Sequence, residues 1–254
     1  MGPNATVEGI VVQAAGAVSE GVREYAAQQM ANCLSLLRDR PEPAVVRLTW
    51  LGASDVARPA VAQANVVRDG RIVRAQLAAP SLAEASERLG QRLIEQLGRS
   101  TLTPLPRRWP DERPRPESTV VAGREATVVR RKSYQLERCT PQDAALTMDR
   151  CDYDFHLFVD AATGEDSVIS RVGPTGYRLT RLAGPRPATV AGTLPVIRLT
   201  VDAHPVPSGT TSQIAERVDL AQLGHRFFRD ADTGRGAVLY RRYDGNYGLL
   251  RGFS

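Results

Sequence analysis

Phe158-Val-Asp-Ala-Ala-Thr-Gly164 returns seventy residues on as Phe228-Arg-Asp-Ala-Asp-Thr-Gly234. The same offset carries Val168, Arg171, Tyr177 and Leu179 onto Val238, Arg241, Tyr247 and Leu249. An ungapped match of this length marks an internal repeat. Residues 127–182 and 197–254 therefore read as two copies of one small module, joined by a connector over 183–196. Each copy holds a strand, a helix with one apolar face, a strand, an Asp-x-x-Thr-Gly turn and a strand. Copy one has the fuller start, residues 128–136, where copy two has the Pro/Gly/Ser-rich stretch 204–211. A module of roughly 55 residues buries little of its surface alone, so the copies are expected to stabilise each other by packing together.

Upstream of the repeat, residues 100–126 interleave Pro104, Pro106, Pro110, Pro114 and Pro116 with Arg107, Arg108, Arg113 and Arg115. Such a stretch holds no helix and reads as an extended linker. Residues 1–99 read as a separate α+β domain of order βαβββα. Residues 6–14 alternate as a strand, and a helix follows over 18–37 with the apolar stripe Val18, Val22, Tyr25, Ala26, Met30, Cys33 and Leu37. Pro41 and Pro43 end it. Three strands follow, over 44–51, 60–67 and 71–78, the last two joined at Asp69-Gly70, a strong hairpin signal. A second helix over 82–99 opens behind Ser81, with Glu84 three residues on, and carries the stripe Leu82, Ala85, Leu89, Leu93 and Leu97. One sheet with both helices on one face buries both stripes.

The makeup of the charge is informative. The net charge is +5, and Lys132 is the only lysine among 33 cationic side chains. Arginine forks suit phosphate oxygens and base faces, while a high-GC genome produces the same bias, so composition permits an RNA partner without identifying one. Cys33, Cys139 and Cys151 are odd in number and form no CxxC pair, which reads as reduced, buried thiols. No stretch reads as a signal peptide or a membrane span, and the expected location is the cytoplasm. His156, His204 and His225 lack metal-ligand spacing, and Asp152 and Asp154 read as loop decoration. With no phosphate-binding loop, nucleophile elbow or dinucleotide fingerprint, neither an enzyme, a metal nor a cofactor is expected.

The ending Val238-Leu-Tyr-Arg-Arg-Tyr-Asp-Gly-Asn-Tyr-Gly-Leu-Leu250 resembles the C-terminal signature of long-form ribosome hibernation-promoting factors. Arg92-Leu-Ile-Glu-Gln-Leu-Gly-Arg99 is similar to the end of that family's second helix, and the βαβββα order agrees. The resemblance implies a head lodged in the mRNA and tRNA channel of the small ribosomal subunit against its rRNA. It also implies a C-terminal half near ribosomal proteins that self-associates to pair ribosomes. Two departures stand out. The second helix begins Ser81-Leu-Ala-Glu84 and the first has Asn32 near a usual lysine; copy one shows Ser170-Arg171-Val172 and Pro174-Thr175-Gly176 in place of the signature.

On this reading Arg88, Arg92 and Arg99 share one side of the second helix, and with Arg23 of the first they are expected to form a basic ridge along an RNA backbone. The plain alternative is a solvated face balanced by Glu84, Glu87 and Glu95. Arg68, Arg71 and Arg74 at the hairpin form a second cluster, and Arg107 and Arg108 add phosphate contacts from the linker. Tyr240, Arg241, Arg242, Asn246 and Tyr247 are the candidate interface of the C-terminal module, with a packed core as the alternative for Tyr247. Linking two copies also favours an intrachain pseudo-dimer over a homodimer, and binding to single ribosomes over pairing. A protein-interaction module unconnected to the ribosome is the reading from a different class.

Overall fold

The computed structural model describes residues 5–7, 9–37, 44–52, 56–100, 127–173, 176–184, 197–221 and 223–253. The chain forms two units, one on Met1–Thr103 with Arg150–Asp152 and one on Pro104–Asp149 with Tyr153–Ser254.

The first unit is the expected α+β domain. Its strands are β1 (Ala5–Val7), β2 (Ile10–Ala15), β3 (Val45–Trp50), β4 (Ala60–Arg68) and β5 (Arg71–Ala79), in spatial order 1-2-3-4-5. The pair β2–β3 is parallel and is bridged by helix α1 (Glu20–Ser35); the other neighbours are antiparallel. Helix α2 (Leu82–Ser100) follows β5. Alternate residues of β4, namely Ala60, Ala62, Ala64 and Val66, point into one core with both helices, as period-two pleating requires. All five residues expected on the α2 stripe are buried there, and Ser81 Oγ accepts the Glu84 amide at 3.2 Å as the N-cap.

Two details depart from expectation. The first strand, expected over 6–14, is a tight hairpin of β1 and β2 turning at Gly9, whose φ of 83° is left-handed. The buried face of α1 is also rotated: Ala27, Ala31 and Leu34 are buried, while Tyr25 is exposed and Cys33 half-buried. Small residues there let α1 approach the sheet, and Tyr25 instead donates to Glu87 Oε1 on α2 at 2.5 Å. A Cβ on Gly90 of α2 would lie 2.4 Å from Cys33 Sγ, so that glycine admits the close helix–helix contact.

The second unit is two five-stranded sheets, each with a helix. Copy one supplies β6 (Val128–Gln135), β7 (Arg138–Cys139), α3 (Pro141–Arg150), β8 (Phe155–Asp160), β9 (Asp166–Val172) and β10 (Gly176–Arg181). Copy two supplies β11 (Leu199–Val201), β12 (Ser208–Gly209), α4 (Thr211–Leu220), β13 (His225–Asp230), β14 (Gly236–Arg241) and β15 (Tyr247–Phe253). The sheets run β11-β10-β9-β8-β7 and β12-β13-β14-β15-β6. The copies thus exchange their first strands: β6 of copy one pairs in parallel with β15, and β11 of copy two pairs in parallel with β10. Between the sheets lies a shared core of Leu136, Leu157, Val168, Phe227 and Val238, joined by Val206. Equivalent positions meet across it: Phe155 and His225, seventy apart, stack with ring centroids 4.7 Å apart. The arrangement is a pseudo-twofold dimer within one chain.

Candidate nucleic-acid interface

The repeated turn motif explains its own acid. Asp160 accepts the Ala162 amide at 3.0 Å and the Arg181 Nε at 2.8 Å, with both charged side chains essentially fully buried. Asp230 stands in the same place with the Asp232 amide and Arg251. A second repeated constellation ends each helix: Asp149 takes the Tyr177 hydroxyl at 2.5 Å and Arg171 at 3.4 Å, as Asp219 takes the Tyr247 hydroxyl at 2.6 Å and Arg241. Burial and the hydrogen bond to Asp219 raise the Tyr247 pKa well above the usual tyrosine value.

This geometry corrects part of the expected C-terminal interface. Arg241 and Tyr247 are buried within copy two, because the Asp219 carboxylate draws both inward over the α4 end. Arg242 and Asn246 stand in the turn, where Asp244 holds Arg242 at 2.8 Å and the Asn246 amide at 3.0 Å. Asn246 Oδ1 accepts the Thr127 amide at 3.5 Å, which anchors the start of β6. Tyr240 also reaches the other copy, its ring 5.8 Å from that of Phe155.

The contact that sequence reasoning missed breaks the symmetry. Arg235 of copy two grips Asp166 of copy one with Nε at 2.7 Å and Nη2 at 2.8 Å, and the Gly236 amide donates to the same carboxylate at 2.8 Å. Asp166 and Gly236 are equivalent positions facing each other. A Cβ on Gly236 would lie 2.7 Å from that of Asp166. Burial works against the Asp166 charge, yet Arg235 and the Gly236 amide hold its carboxyl below the ordinary aspartate value.

In the first unit the helix packing divides the expected ridge. Tyr25 and Cys33 of α1 meet Glu87 and Gly90 of α2, which fixes the facing flanks. Arg23 precedes the buried Ala27 and Met30 by four and seven residues, which sets it on the sheet-facing stripe of α1, half-buried in the first turn. Arg88 and Arg92 lie on the flank of α2 away from α1. Arg92, however, donates from Nε and Nη2 to Asp152 at 2.7 and 2.8 Å. Asp152 is buried and also takes the Gln76 amide, so it is a structural acid and not loop decoration. Arg23 is therefore separate from the α2 arginines. Arg88 pairs with Glu84 at 3.1 Å with both side chains nearly half exposed, a contact of little energetic weight.

The hairpin cluster divides as well. Arg68 and Arg71 face each other in register, and Arg68 Nη1 donates to the Leu97 carbonyl at 3.4 Å, which brings this pair beside the last turn of α2. Arg74 points to the opposite sheet face, where it donates to Gln63 at 3.3 Å, while Arg47 donates to Gln13 at 2.9 Å. The structure thus joins Arg68 and Arg71 to the α2 end that carries Arg99, whose side chain, like Arg107 and Arg108, lies outside the described residues. Among the described residues no helix is long and apolar enough to cross a membrane, and no group of three or more His, Cys, Asp or Glu is placed to hold a metal. Burial, with lesser help from Glu137, Asp143 and Asp160, pushes the Cys139 thiol up to about 12.

Comparison with known proteins decides the family. Over 211 residues, 81% of this chain and 74% of the relative, the chain is 41% identical to the dormancy associated translation inhibitor of Mycobacterium tuberculosis, in both strains CDC 1551 / Oshkosh and ATCC 25618 / H37Rv. The chain belongs to the long-form ribosome hibernation-promoting factor family. The family described as Sigma 54 modulation/S30EA ribosomal protein C terminus matches residues 123–179 and 217–249, a stretch in each copy of the repeat. Among solved structures, the N-terminal domain of Thermus thermophilus Protein Y aligns at 22% identity and a TM-score of 0.29, covering 35% of this chain and 94% of that one. A ribosomal subunit interface protein from Coxiella burnetii aligns at 17% identity and a TM-score of 0.30, covering 35% and 96%. The hibernation-factor family thus accounts for the C-terminal signature, and in this member the signature closes a module whose partner is in the same chain.

Proposed function

We propose that this chain is a cytoplasmic ribosome hibernation factor. Its head occupies the mRNA and tRNA channel of the small subunit, blocks translation and shields idle ribosomes under stress. Steric occupancy is the whole mechanism; no bond is made or broken and no cofactor takes part. The 41% identity to a dormancy associated translation inhibitor over most of both chains supports this reading. Arg88, Arg92 and Arg99 of α2, with Arg68 and Arg71 at its last turn, would follow rRNA phosphates. Arg23, Arg74, Arg107 and Arg108 would make separate contacts.

The chain would act on single ribosomes. The observation that carries this is the pairing of Asp166 with Arg235 and Gly236. Two copy-two modules brought together would set Gly236 against Gly236 and leave both Arg235 forks without that carboxylate. Two copy-one modules would set Asp166 against Asp166. Only copy one with copy two satisfies this arrangement, and the chain itself supplies that pair at an effective concentration on the order of millimolar. Sucrose gradients of ribosomes saturated with the protein are expected to show single ribosomes. A dominant ribosome-dimer peak would instead favour a homodimer through copy two.

A further inference from the structure

The internal symmetry of the second unit exposes a difference in charge. β6 and β11 have equivalent places, each exchanged onto the last meander strand of the other copy. Arg130 stands beside Gly248 and Arg131 beside Leu249, as Thr200 stands beside Arg178 and Val201 beside Leu179. Residues seventy apart therefore share a position, and Arg130-Arg131-Lys132 is matched by Thr200-Val201-Asp202. The Asp202 amide donates to the Leu179 carbonyl at 2.8 Å, so the acidic counterpart of Lys132 serves the exchange without difficulty. Strand exchange accordingly does not require cations there. Yet β6 carries three in succession, all exposed, on the outermost strand of its sheet.

We propose that Arg130, Arg131 and Lys132 on the β6 edge form a second RNA-contact surface that grips phosphates of the ribosomal RNA. This rests on the ribosome-binding reading above and adds that the C-terminal half itself touches RNA. Successive strand residues point to opposite faces, so Arg131 extends to one side of the sheet edge and Arg130 and Lys132 to the other. Such an edge straddles a phosphate backbone, with arginine forks and a lysine point charge as its ligands. Edge charges also deter pairing with another sheet. Either sign of charge does that, whereas only the positive sign holds phosphate.

The test uses full-length protein and intact ribosomes. Replacing the three residues by their counterparts (R130T/R131V/K132D) keeps a register the fold already contains, and R130E/R131E/K132E keeps the edge charged. Both variants are expected to bind more weakly. The counterpart variant should flatten the plot of log affinity against log salt by about 2, since each phosphate no longer neutralised removes roughly 0.7–0.9 from the slope. Wild-type protein gives an independent reading, because Lys132 is the only lysine. Ribosomes should shield it from an amine-reactive reagent, and a lysine-directed cross-linker should join it to RNA. Wild-type salt slopes in both variants, or cross-links to ribosomal protein alone, would overturn this inference and leave the head's role intact. Failure of wild-type protein to bind at all would overturn the ribosome reading itself.

Discussion

At the scale of single residues, the second unit is held by acids whose partners are internal. Asp160 and Arg181 are both removed from solvent, and deleting one member of such a pair leaves the other charge buried. Asp160→Ala is therefore expected to cost about 3–5 kcal/mol, read from the urea midpoint of the C-terminal half. Asp166 makes a pH prediction. Its carboxyl is held below the unfolded value, so its contribution is complete above about pH 4 and is lost as the pH falls below that. Urea midpoints between pH 6 and pH 3 should fall more steeply for the wild type than for Asp166→Asn; parallel curves would show that the Arg235 contact does not stabilise the pair. The repeat made Asp160 and Asp230 visible as matched positions in the sequence. It hid Asp166, because Gly236 breaks the match there.

Elements differ in how much of their role their own residues state. The stripe Leu82, Ala85, Leu89, Leu93 and Leu97 was legible because helical period and burial coincide in α2. The hairpin at Asp69-Gly70 was legible because both residues adopt positive φ, 51° and 69°. The exchange of β6 was not legible. Parallel edge pairing leaves no local turn or spacing signal, and the exposed, cationic face of β6 reads the same whichever sheet it joins. The divided arginine ridge was hidden for a related reason: periodicity gives each helix a face but not which flanks meet. Tyr25–Glu87 and Gly90–Cys33 settle that only in three dimensions. The exchange predicts that residues 127–254 are monomeric, whereas residues 137–254, lacking β6, expose the β15 edge and self-associate. Analytical ultracentrifugation of the two fragments distinguishes them, and a monomeric 137–254 would count against the role given to β6.

For the whole molecule, the proposed function divides the work between the two units. A helix-flanked sheet presents arginines from the α2 flank and the β4–β5 turn, while the doubled C-terminal half closes on itself and leaves a cationic edge outward. A family in which ribosome pairing is expected from C-terminal self-association here has that partnership met within one chain. The most direct measurement is co-sedimentation of the full-length protein with ribosomes as salt rises, for the wild type and for R88E/R92E/R99E. Phosphate-driven binding predicts that wild-type protein pellets with ribosomes in dilute buffer and is released steeply with salt, and that the variant stays largely in the supernatant. Wild-type protein left at the top of the gradient in dilute buffer, or a variant that pellets as well as the wild type, would contradict it.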